Sequence, residues 1–463
     1  MNKKNIILIF IIIFAFAGFV LYLNTKIKGT SQASISEHSG NLISPEDSVG
    51  SNAISSEVFL KMTYYGDPAS LEKLSDLENL KSLEINIETE VENLQIESNS
   101  IIRLELSGGA IKSLDGISGI TSLEELVINS QTLTDISEIG ELSNLRVLEI
   151  YSQDRYSGAE SIGKLVNLEK LCLRGDNNND FLESLSKIEY LEMYNESSIN
   201  DMPYANSNSY FDFENICQMK NLKVLKISGY RNILNLELLS NNTDLEDLMV
   251  VTTYEYTGVS CLSELEKLKN LEISVYSTLP FIENLESLKV DSLDSIKMIE
   301  NLSHVKYLSI DSEYTELENL RGISAFEQLE ALYIGCYDAD VDFEELDKLR
   351  TLEKLCLDCY WLSGGECLFS MRHMTNLKEL SISNAYFIED LDFIGENYAL
   401  ESLYIMDSGP ISDISALSDL DNLKYLSLNY CLENADLLPL ESCLSLEEVY
   451  IDGKEYVFDK EGE

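Results

Sequence analysis

Apolar residues recur at a fixed spacing from residue 80 almost to the end of the chain, most clearly near the C-terminus. The segment 411–428 ends in Leu423-x-x-Leu426-x-Leu428, where leucine alternates with more polar residues. Alternation with a period of two predicts a short β-strand with one apolar face. The same pattern returns about every 23 residues, which predicts 17 similar units. The first apolar residue of each unit lies at 80, 101, 123, 145, 168, 188, 222, 245, 268, 285, 305, 329, 352, 377, 400, 423 and 446.

One unit of this size cannot bury its apolar face alone, so the units are expected to stack. In Leu123-Glu-Glu-Leu126-Val-Ile128 the alternation places Leu126 and Ile128 inside and Val127 outside. A period of 20 to 29 residues with L-x-x-L-x-L is that of a leucine-rich repeat. The predicted fold is an α/β solenoid, a leucine-rich-repeat horseshoe with a parallel concave sheet and mostly short 3-10 or irregular convex segments. One transmembrane helix is expected to precede it.

Two units depart from the regular spacing. The step from 188 to 222 implies an insertion around residues 195–210, and the step from 268 to 285 implies a tight coil. Insertions in solenoids form loops on one face, and both a functional and a neutral loop remain open here.

The array over residues 80–451 is expected to have a cap at each end. Within the N-terminal cap, residues 57–79, the apolar spacing of Val58-Phe59-Leu60-x-Met62 and Leu71-x-x-Leu74 predicts one or two short helices. After the array, Asp452-Gly453 is a hairpin-turn signal. It predicts a C-terminal cap and tail over residues 452–463.

Residues 1–30 differ from the rest of the chain. Lys3 and Lys4 precede an apolar run over residues 6–23, long enough to cross a bilayer. An uncleaved signal-anchor and a cleaved secretory signal both remain open. The repeats are expected outside the cytoplasm in either case, on a single-pass membrane protein or secreted after cleavage. The serine-rich residues 31–56 are expected to form a flexible tether.

The formal net charge of −48 restricts the partners. Nucleic acids are excluded, because their binding needs lysine and arginine to neutralise phosphates. An anionic membrane surface is excluded for the same reason. Within the repeats, the residue after each first apolar residue is acidic in nine units and basic in seven. This column is expected to form exposed ion pairs that compensate one another.

The L-x-x-L-x-x-L lead-in and the Asp413-Ile414 turn resemble the bacterial internalin-type leucine-rich repeats of about 22 residues. The resemblance covers roughly residues 70–458 and implies the fold, whereas the family binds many different partners. The usual asparagine of the family, eight residues after the first leucine, is missing from most units, so other groups are expected to satisfy the turn backbone. The residues found there include Gln131, Gln153, Tyr230, Tyr276, Tyr337, Tyr360 and Cys431.

A recurring aspartate is the first candidate for chemistry. It precedes an apolar residue at one turn of the unit, where a carboxylate would cap backbone N–H groups. The positions are Asp135, Asp212, Asp342, Asp390, Asp413 and Asp436.

Metal sites and catalysis find little support. Asp338-x-Asp340-x-Asp342 begins like a calcium loop, but Phe343 and Leu349 stand where glycine and glutamate are needed. Zinc, a disulfide and free thiols all remain open for the group Cys336, Cys356, Cys359 and Cys367. No catalytic motif is present, so we expect no enzyme, no cofactor and no metal site.

Tyrosines in the C-terminal units form the candidate ligand-binding site on the concave face. Tyrosine suits recognition because it offers a large rigid ring with a polar tip. It also favours strands, so outward tyrosines can arise from composition alone. The candidate residues are Tyr307, Tyr333, Tyr404, Met406, Tyr425 and Tyr450.

The sequence therefore predicts a membrane-tethered, extracytoplasmic leucine-rich-repeat protein that binds a protein or glycan partner through this face. A structural envelope component without a specific ligand is the alternative. An enzyme with a novel site is a third interpretation.

Overall fold

A computed structural model describes the chain from residue 58 to residue 457 with several gaps. The gaps are residues 67–70, 72–73, 75–76, 78, 92, 95, 153–155, 176–177, 196–208, 253, 312–316, 318–319, 336–342, 359–370, 372–373 and 387. The expected membrane segment over residues 6–23 and the tether over 31–56 lie outside the described residues. Among the described helices, none is sufficiently long and apolar to cross a bilayer.

In the described part of the chain, 19 strands form one sheet. Each predicted unit supplies one strand, and in all but the first unit the strand begins two residues after the first apolar residue. The predicted parallel sheet and its repeat are therefore confirmed. The strands are β1 Val58–Tyr64, β2 Leu80–Ile87, β3 Arg103–Ser107, β4 Glu125–Asn129, β5 Val147–Tyr151, β6 Lys170–Arg174, β7 Tyr190–Tyr194, β9 Val224–Ser228, β11 Asp247–Val251, β12 Asn270–Ser274, β13 Ser287–Asp291, β14 Tyr307–Asp311, β15 Ala331–Gly335, β16 Lys354–Asp358, β17 Glu379–Ser383, β18 Ser402–Met406, β19 Tyr425–Asn429, β20 Glu448–Ile451 and β21 Lys454–Glu455.

The connections carry short 3-10 helices, as expected for the side opposite the sheet. A short α-helix, α1, spans Pro439–Ser442. The tight coil between β12 and β13 contains no helix over residues 275–286. The 3-10 helices are Ile117–Gly119, Ser137–Glu141, Ala159–Lys164, Asp180–Ser184, Phe213–Ile216, Leu236–Asn241, Val259–Glu264, Ile296–Met298, Glu300–Leu302, Ile323–Ala325, Phe343–Lys348, Asp392–Ile394 and Ser415–Asp419.

The expected helix at the start of the cap is wrong, because β1 is a strand that pairs in parallel with β2. Leu60 and Met62 are half-buried and Tyr64 is buried, whereas Phe59 and Lys61 are exposed. This period of two fits a strand whose one face covers the core. β1 therefore extends the sheet by one strand beyond the first repeat.

The core is a continuous stack of the inward apolar residues. Leu423, Leu426 and Leu428 are at most 1% exposed, as are their equivalents Leu126 and Ile128 in the third unit. The register places Leu403 opposite Leu426, so equivalent side chains pack directly on one another from coil to coil. Burying each such side chain stabilises the fold by about 1.5–3 kcal/mol.

Serine and threonine take over the role of the missing asparagines. The hydroxyl of Ser130 donates to the carbonyl of Ile111 at 3.1 Å, and that of Thr252 donates to the carbonyl of Tyr230 at 2.6 Å. Both side chains are buried. They satisfy turn carbonyls that would otherwise lie unpaired in the core.

Asparagine recurs elsewhere, directly before the first leucine of several units. Each side-chain amide donates to a carbonyl of the preceding coil, over distances of 2.6 to 2.9 Å. This second ladder links consecutive coils on an exposed edge. Its members are Asn144, Asn167, Asn284, Asn376 and Asn422.

The predicted aspartate caps are confirmed wherever the residue is described. Each carboxylate accepts a hydrogen bond from the backbone N–H two residues further on, at 2.8 to 3.0 Å. Asp342 lies outside the described residues. The capping aspartates are Asp135, Asp212, Asp390, Asp413 and Asp436.

The predicted hairpin turn after the array is also confirmed. Asp452 and Gly453 have φ of 50° and 72°, and β21 pairs antiparallel with β20. Two central residues with positive φ match the twist of a tight hairpin. Tyr456 then donates its N–H to the carbonyl of Val449 at 2.7 Å and packs against the core.

The insertion around 195–210 is described only at its ends. Asn195 is buried, and β8, Tyr210–Asp212, pairs with β10, Asn232–Leu234, in a separate two-stranded sheet. Phe211 packs edge-on against Tyr230, with ring centroids 5.6 Å apart. The chain therefore returns to the core at Phe211, directly after the insertion.

Candidate functional site

The candidate site lies on the sheet face that points away from the core. Each five-residue strand presents its first, middle and last residue there. Tyr307 and Tyr425 occupy first positions, Tyr333 and Tyr404 middle positions, and Met406 a last position. Tyr450 is the third residue of the four-residue strand β20 and lies opposite Ser427, the middle residue of β19. All six predicted residues are therefore on the expected face.

The structure divides the six residues into two groups. Tyr307 and Tyr333 lie on adjacent strands β14 and β15, while the other four lie on β18 to β20. Strands β16 and β17 separate the groups, which places Tyr333 and Tyr404 about 14 Å apart at roughly 4.8 Å per strand. We call Tyr404, Tyr425 and Tyr450 the C-terminal tyrosine group.

Small side chains lie beside Tyr404 and Tyr450 in the middle column of the face. Tyr404 lies between Ser381 and Ser427 in the middle column, and Ser427 in turn lies beside Tyr450. Serine is too short to cover an aromatic ring, so large and small side chains alternate from strand to strand. Tyr425 is 36% exposed, and Tyr404 and Tyr450 are half-buried.

The predicted charge-compensated column runs beside these tyrosines and is confirmed in its described pairs. Lys424 pairs with Glu401 at 2.6 Å, and Lys378 pairs with Glu353 at 2.8 Å. Equivalent pairs recur in earlier units, and all are largely exposed. They include Lys269 with Glu246, Lys223 with Glu189, and Arg146 with Glu169 and Glu124.

A cluster that the sequence analysis missed lies on the same face over β5 to β9. The Arg174 guanidinium lies over the ring of Tyr194 at 4.9 Å and over that of Tyr151 at 5.8 Å. These three residues occupy the last positions of β6, β7 and β5, and register brings them side by side. A cation between two aromatic faces is held by the ring quadrupoles.

The neighbouring columns of this cluster repeat the arrangement. Lys170 and Lys226 lie over the ring of Tyr190 at 5.1 and 5.5 Å. Lys170 also pairs with Glu149 at 2.7 Å, and Lys226 lies 3.8 Å from Glu192. The aromatic rings and the cations therefore already have partners within the chain. We call Tyr151, Lys170, Arg174, Tyr190, Tyr194 and Lys226 the cation–tyrosine cluster.

Burial controls the acidity of the groups inside the cation–tyrosine cluster. Cys172, between Lys170 and Arg174 on β6, is 3% exposed, and burial raises the pKa of its thiol to about 12. Burial and a hydrogen bond to Glu149 raise the pKa of Tyr151. These groups remain protonated at neutral pH and act as packing and hydrogen-bonding elements.

The sequence did contain a signal for this cluster. Tyr151, Arg174 and Tyr194 occupy the same position in three successive units, so alignment of the units alone brings them into one row.

Most of the residues considered above as metal ligands lie outside the described residues. Cys336, Cys359 and Cys367 and the Asp338–Asp342 segment are not among them. Cys356, on β16, is a free thiol, and burial raises its pKa to about 11. Among described histidines, cysteines and carboxylates, no group of three or more is arranged to hold a metal ion.

These features define a leucine-rich-repeat solenoid. The assignment rests on the chain's own register, in which each L-x-x-L-x-L unit supplies one parallel strand with its apolar residues inside. No protein-family model matches the chain. No curated protein matches it either.

Solved structures of leucine-rich-repeat proteins resemble the chain at low identity. An internalin from Listeria monocytogenes is 20% identical, with a TM-score of 0.40 over 73% of this chain and 83% of its own. A leucine-rich-repeat protein from Leptospira interrogans is 18% identical, with a TM-score of 0.44 over 84% and 99%. The ectodomain of the Arabidopsis receptor kinase HAESA, in complex with a peptide hormone, is 14% identical, with a TM-score of 0.42 over 81% and 70%.

Proposed function

We propose that this chain is a leucine-rich-repeat binding protein that recognises a protein partner through the outward sheet face. The observation that carries the proposal is the C-terminal tyrosine group, three partly exposed tyrosines on adjacent strands with serines between them. Alternating large and small side chains give a ridged surface on which a partner can seat its own side chains. Rigid aromatic anchors of this kind commonly dominate binding energies.

A protein partner is favoured over a glycan by the variety of the surface. Tyrosine hydroxyls and the thioether of Met406 lie on β18 to β20, and the exposed Lys424–Glu401 ion pair directly precedes β18 and β19. Aromatic residues and methionine are enriched at protein interfaces. A structural envelope component without a ligand would not require three adjacent outward tyrosines.

We further propose that the array acts outside the cytoplasm, tethered through residues 6–23. The apolar run, the preceding lysines and the serine-rich stretch after it support this topology. Protease treatment of intact cells tests it. Digestion of the repeats is expected, whereas complete protection on intact cells but not on lysed cells would contradict it.

Site-specific photocrosslinking tests the binding surface. A photoreactive amino acid at position 427, between Tyr404 and Tyr450, is expected to capture the partner on whole cells. Position 418 is the matched control, since it also holds a serine and lies on the exposed surface of the 3-10 helix Ser415–Asp419, away from the sheet. The proposal fails if both positions capture the same proteins equally.

A further inference from the structure

The two tyrosine-rich regions of the sheet face differ in one respect. In the cation–tyrosine cluster, the chain itself supplies a lysine or arginine to each ring, at 4.9 to 5.8 Å. Among the described residues, no lysine or arginine lies over the rings of Tyr404, Tyr425 or Tyr450. Outward tyrosines on strands of the same sheet thus have a cation over their rings in one region and lack one in the other.

Carboxylates accompany the C-terminal tyrosine group. The register pairs Tyr425 with Glu448 and Tyr450 with Glu455. Burial, followed by the charges of both glutamates, raises the pKa of Tyr450, which places the two carboxylates near its hydroxyl. The ring of Tyr450 is therefore flanked by negative charge.

These carboxylates lack the compensation found along the rest of the face. Lys424, the nearest base of the charge column, already pairs with Glu401. Glu447, Glu448 and Glu455 are exposed, and none of them forms an ion pair with another described residue. The end of the sheet thus combines open aromatic rings with unpaired negative charge.

We propose that the C-terminal tyrosine group binds a segment of the partner protein that carries lysine or arginine side chains. The cations lie over the tyrosine rings and pair with Glu448 and Glu455, as cations do within the chain over β5 to β9. Exposed cation–π contacts and charge pairs are individually weak, so recognition requires several of them together. This inference rests on the proposed function, because it names the chemistry of the partner at the same surface.

A labelled peptide of alternating arginine and serine is the probe, with a glutamine–serine peptide of equal length as its uncharged match. Fluorescence anisotropy measures binding of each to the 463-residue chain in detergent at physiological ionic strength. The arginine peptide is expected to bind roughly tenfold more tightly, which corresponds to about 1.4 kcal/mol of binding free energy. Equal binding of the two peptides would overturn the inference.

Paired variants separate the site from the diffuse attraction of a chain with a net charge of −48. The double variant Glu448→Gln, Glu455→Gln is expected to lower the affinity for the arginine peptide about fivefold, because two surface charge contacts are lost. The control Glu160→Gln, Glu183→Gln removes the same charge from two exposed 3-10 helix positions and should change affinity less than about twofold. Equal weakening by both pairs would overturn the inference.

Tyr404→Ser with Tyr450→Ser completes the test. Serine already occupies this column at 381 and 427, so the sheet is expected to tolerate it. If this variant no longer binds the arginine peptide, the result supports a role for the tyrosine rings. If it binds the peptide as tightly as wild type, that role is overturned. A further outcome is that the tyrosine variant loses binding of the photocrosslinked partner while the glutamine variant keeps it. In that case the inference of a basic segment is wrong, while the proposed function stands. If both variants keep the partner, both proposals fail.

Discussion

The guanidinium of Arg174 lies 4.9 Å from the ring centroid of Tyr194, on the strand next to it in the sheet. The contact joins two coils that are also linked by backbone hydrogen bonds, by core packing and by the contact of Lys170 with the ring of Tyr190. It belongs to a row in which Tyr151 covers the other side of the same guanidinium.

Arg174→Gln is expected to destabilise the array by about 1 kcal/mol, because it removes a cation held between two rings. Hydrogen exchange of the β6 and β7 amides, together with the urea midpoint, measures the effect. Arg146→Gln is the control, since Arg146 is 53% exposed and pairs only with surface glutamates. Equal effects of the two variants would show that the aromatic row adds no stability.

Asp135→Ala should lower the free energy of unfolding by about 1 kcal/mol, the usual cost of losing a backbone cap. The Asp135 carboxylate accepts from the N–H of Ser137 at 3.0 Å, and hydrogen bonds from Ser137 lower its pKa. A lowered pKa means that this stabilisation is present above about pH 4 and is lost as pH falls further. The difference between variant and wild type should therefore shrink in acid. Asp115→Ala, at an exposed aspartate with no described side-chain hydrogen bond, should have little effect.

Gly108 and Gly109 form a matched pair of backbone positions. Gly108 has φ of 125°, and a β-carbon there would lie 2.2 Å from the carbonyl oxygen of Ile87, whereas one at Gly109 meets nothing within 4 Å. Gly108→Ala is expected to cost roughly 1–3 kcal/mol or more, and Gly109→Ala to be neutral or slightly stabilising. Thermal unfolding followed by circular dichroism compares them. A Gly108 variant as stable as wild type would contradict the close approach.

Asp291→Asn is expected to stabilise the protein at neutral pH. Burial, and then the charge of Asp311 on the adjacent strand, raise the pKa of Asp291 in the folded state. The ordinary pKa of an aspartate carboxyl is about 4. Because the pKa is higher in the folded state, the protein loses stability as pH rises from about 4 through the pKa of the folded state. The gain of the variant should appear at pH 7 and disappear below about pH 4 in urea titrations. The exposed Asp294→Asn should show no such pH-dependent gain.

The repeat was predictable from the sequence because its signal is repeated. Leu423, Leu426 and Leu428 have equivalents in every unit, so an error in one unit is corrected by its neighbours. The aspartate caps and the hairpin at Asp452-Gly453 were predictable for a similar reason, since their chemistry is local to a few residues. β1 was not, because one short apolar run without repeats fits a helix or a strand equally well.

The face of the sheet was only partly predictable. The outward direction of Tyr404, Tyr425 and Tyr450 follows from alternation alone. The position of Arg174 between two rings depends on side-chain conformations across strands about 20 residues apart in sequence, which no local pattern encodes. Likewise, the replacement of asparagine by Ser130 and Thr252 becomes visible only when the turn carbonyls are traced to their donors.

The most direct test of the central claim is the affinity of the photocrosslinked partner for Tyr404→Ser, Tyr425→Ser, measured by calorimetry. The control Tyr386→Ser, Tyr398→Ser removes two tyrosines that are 58% and 57% exposed and lie outside the strands. Loss of anchor side chains typically costs about 2 kcal/mol or more each, so we expect a loss of affinity of roughly a thousandfold for the first pair and no change for the control. Unchanged affinity of the Tyr404 and Tyr425 variant, with the fold intact, would contradict recognition through this face.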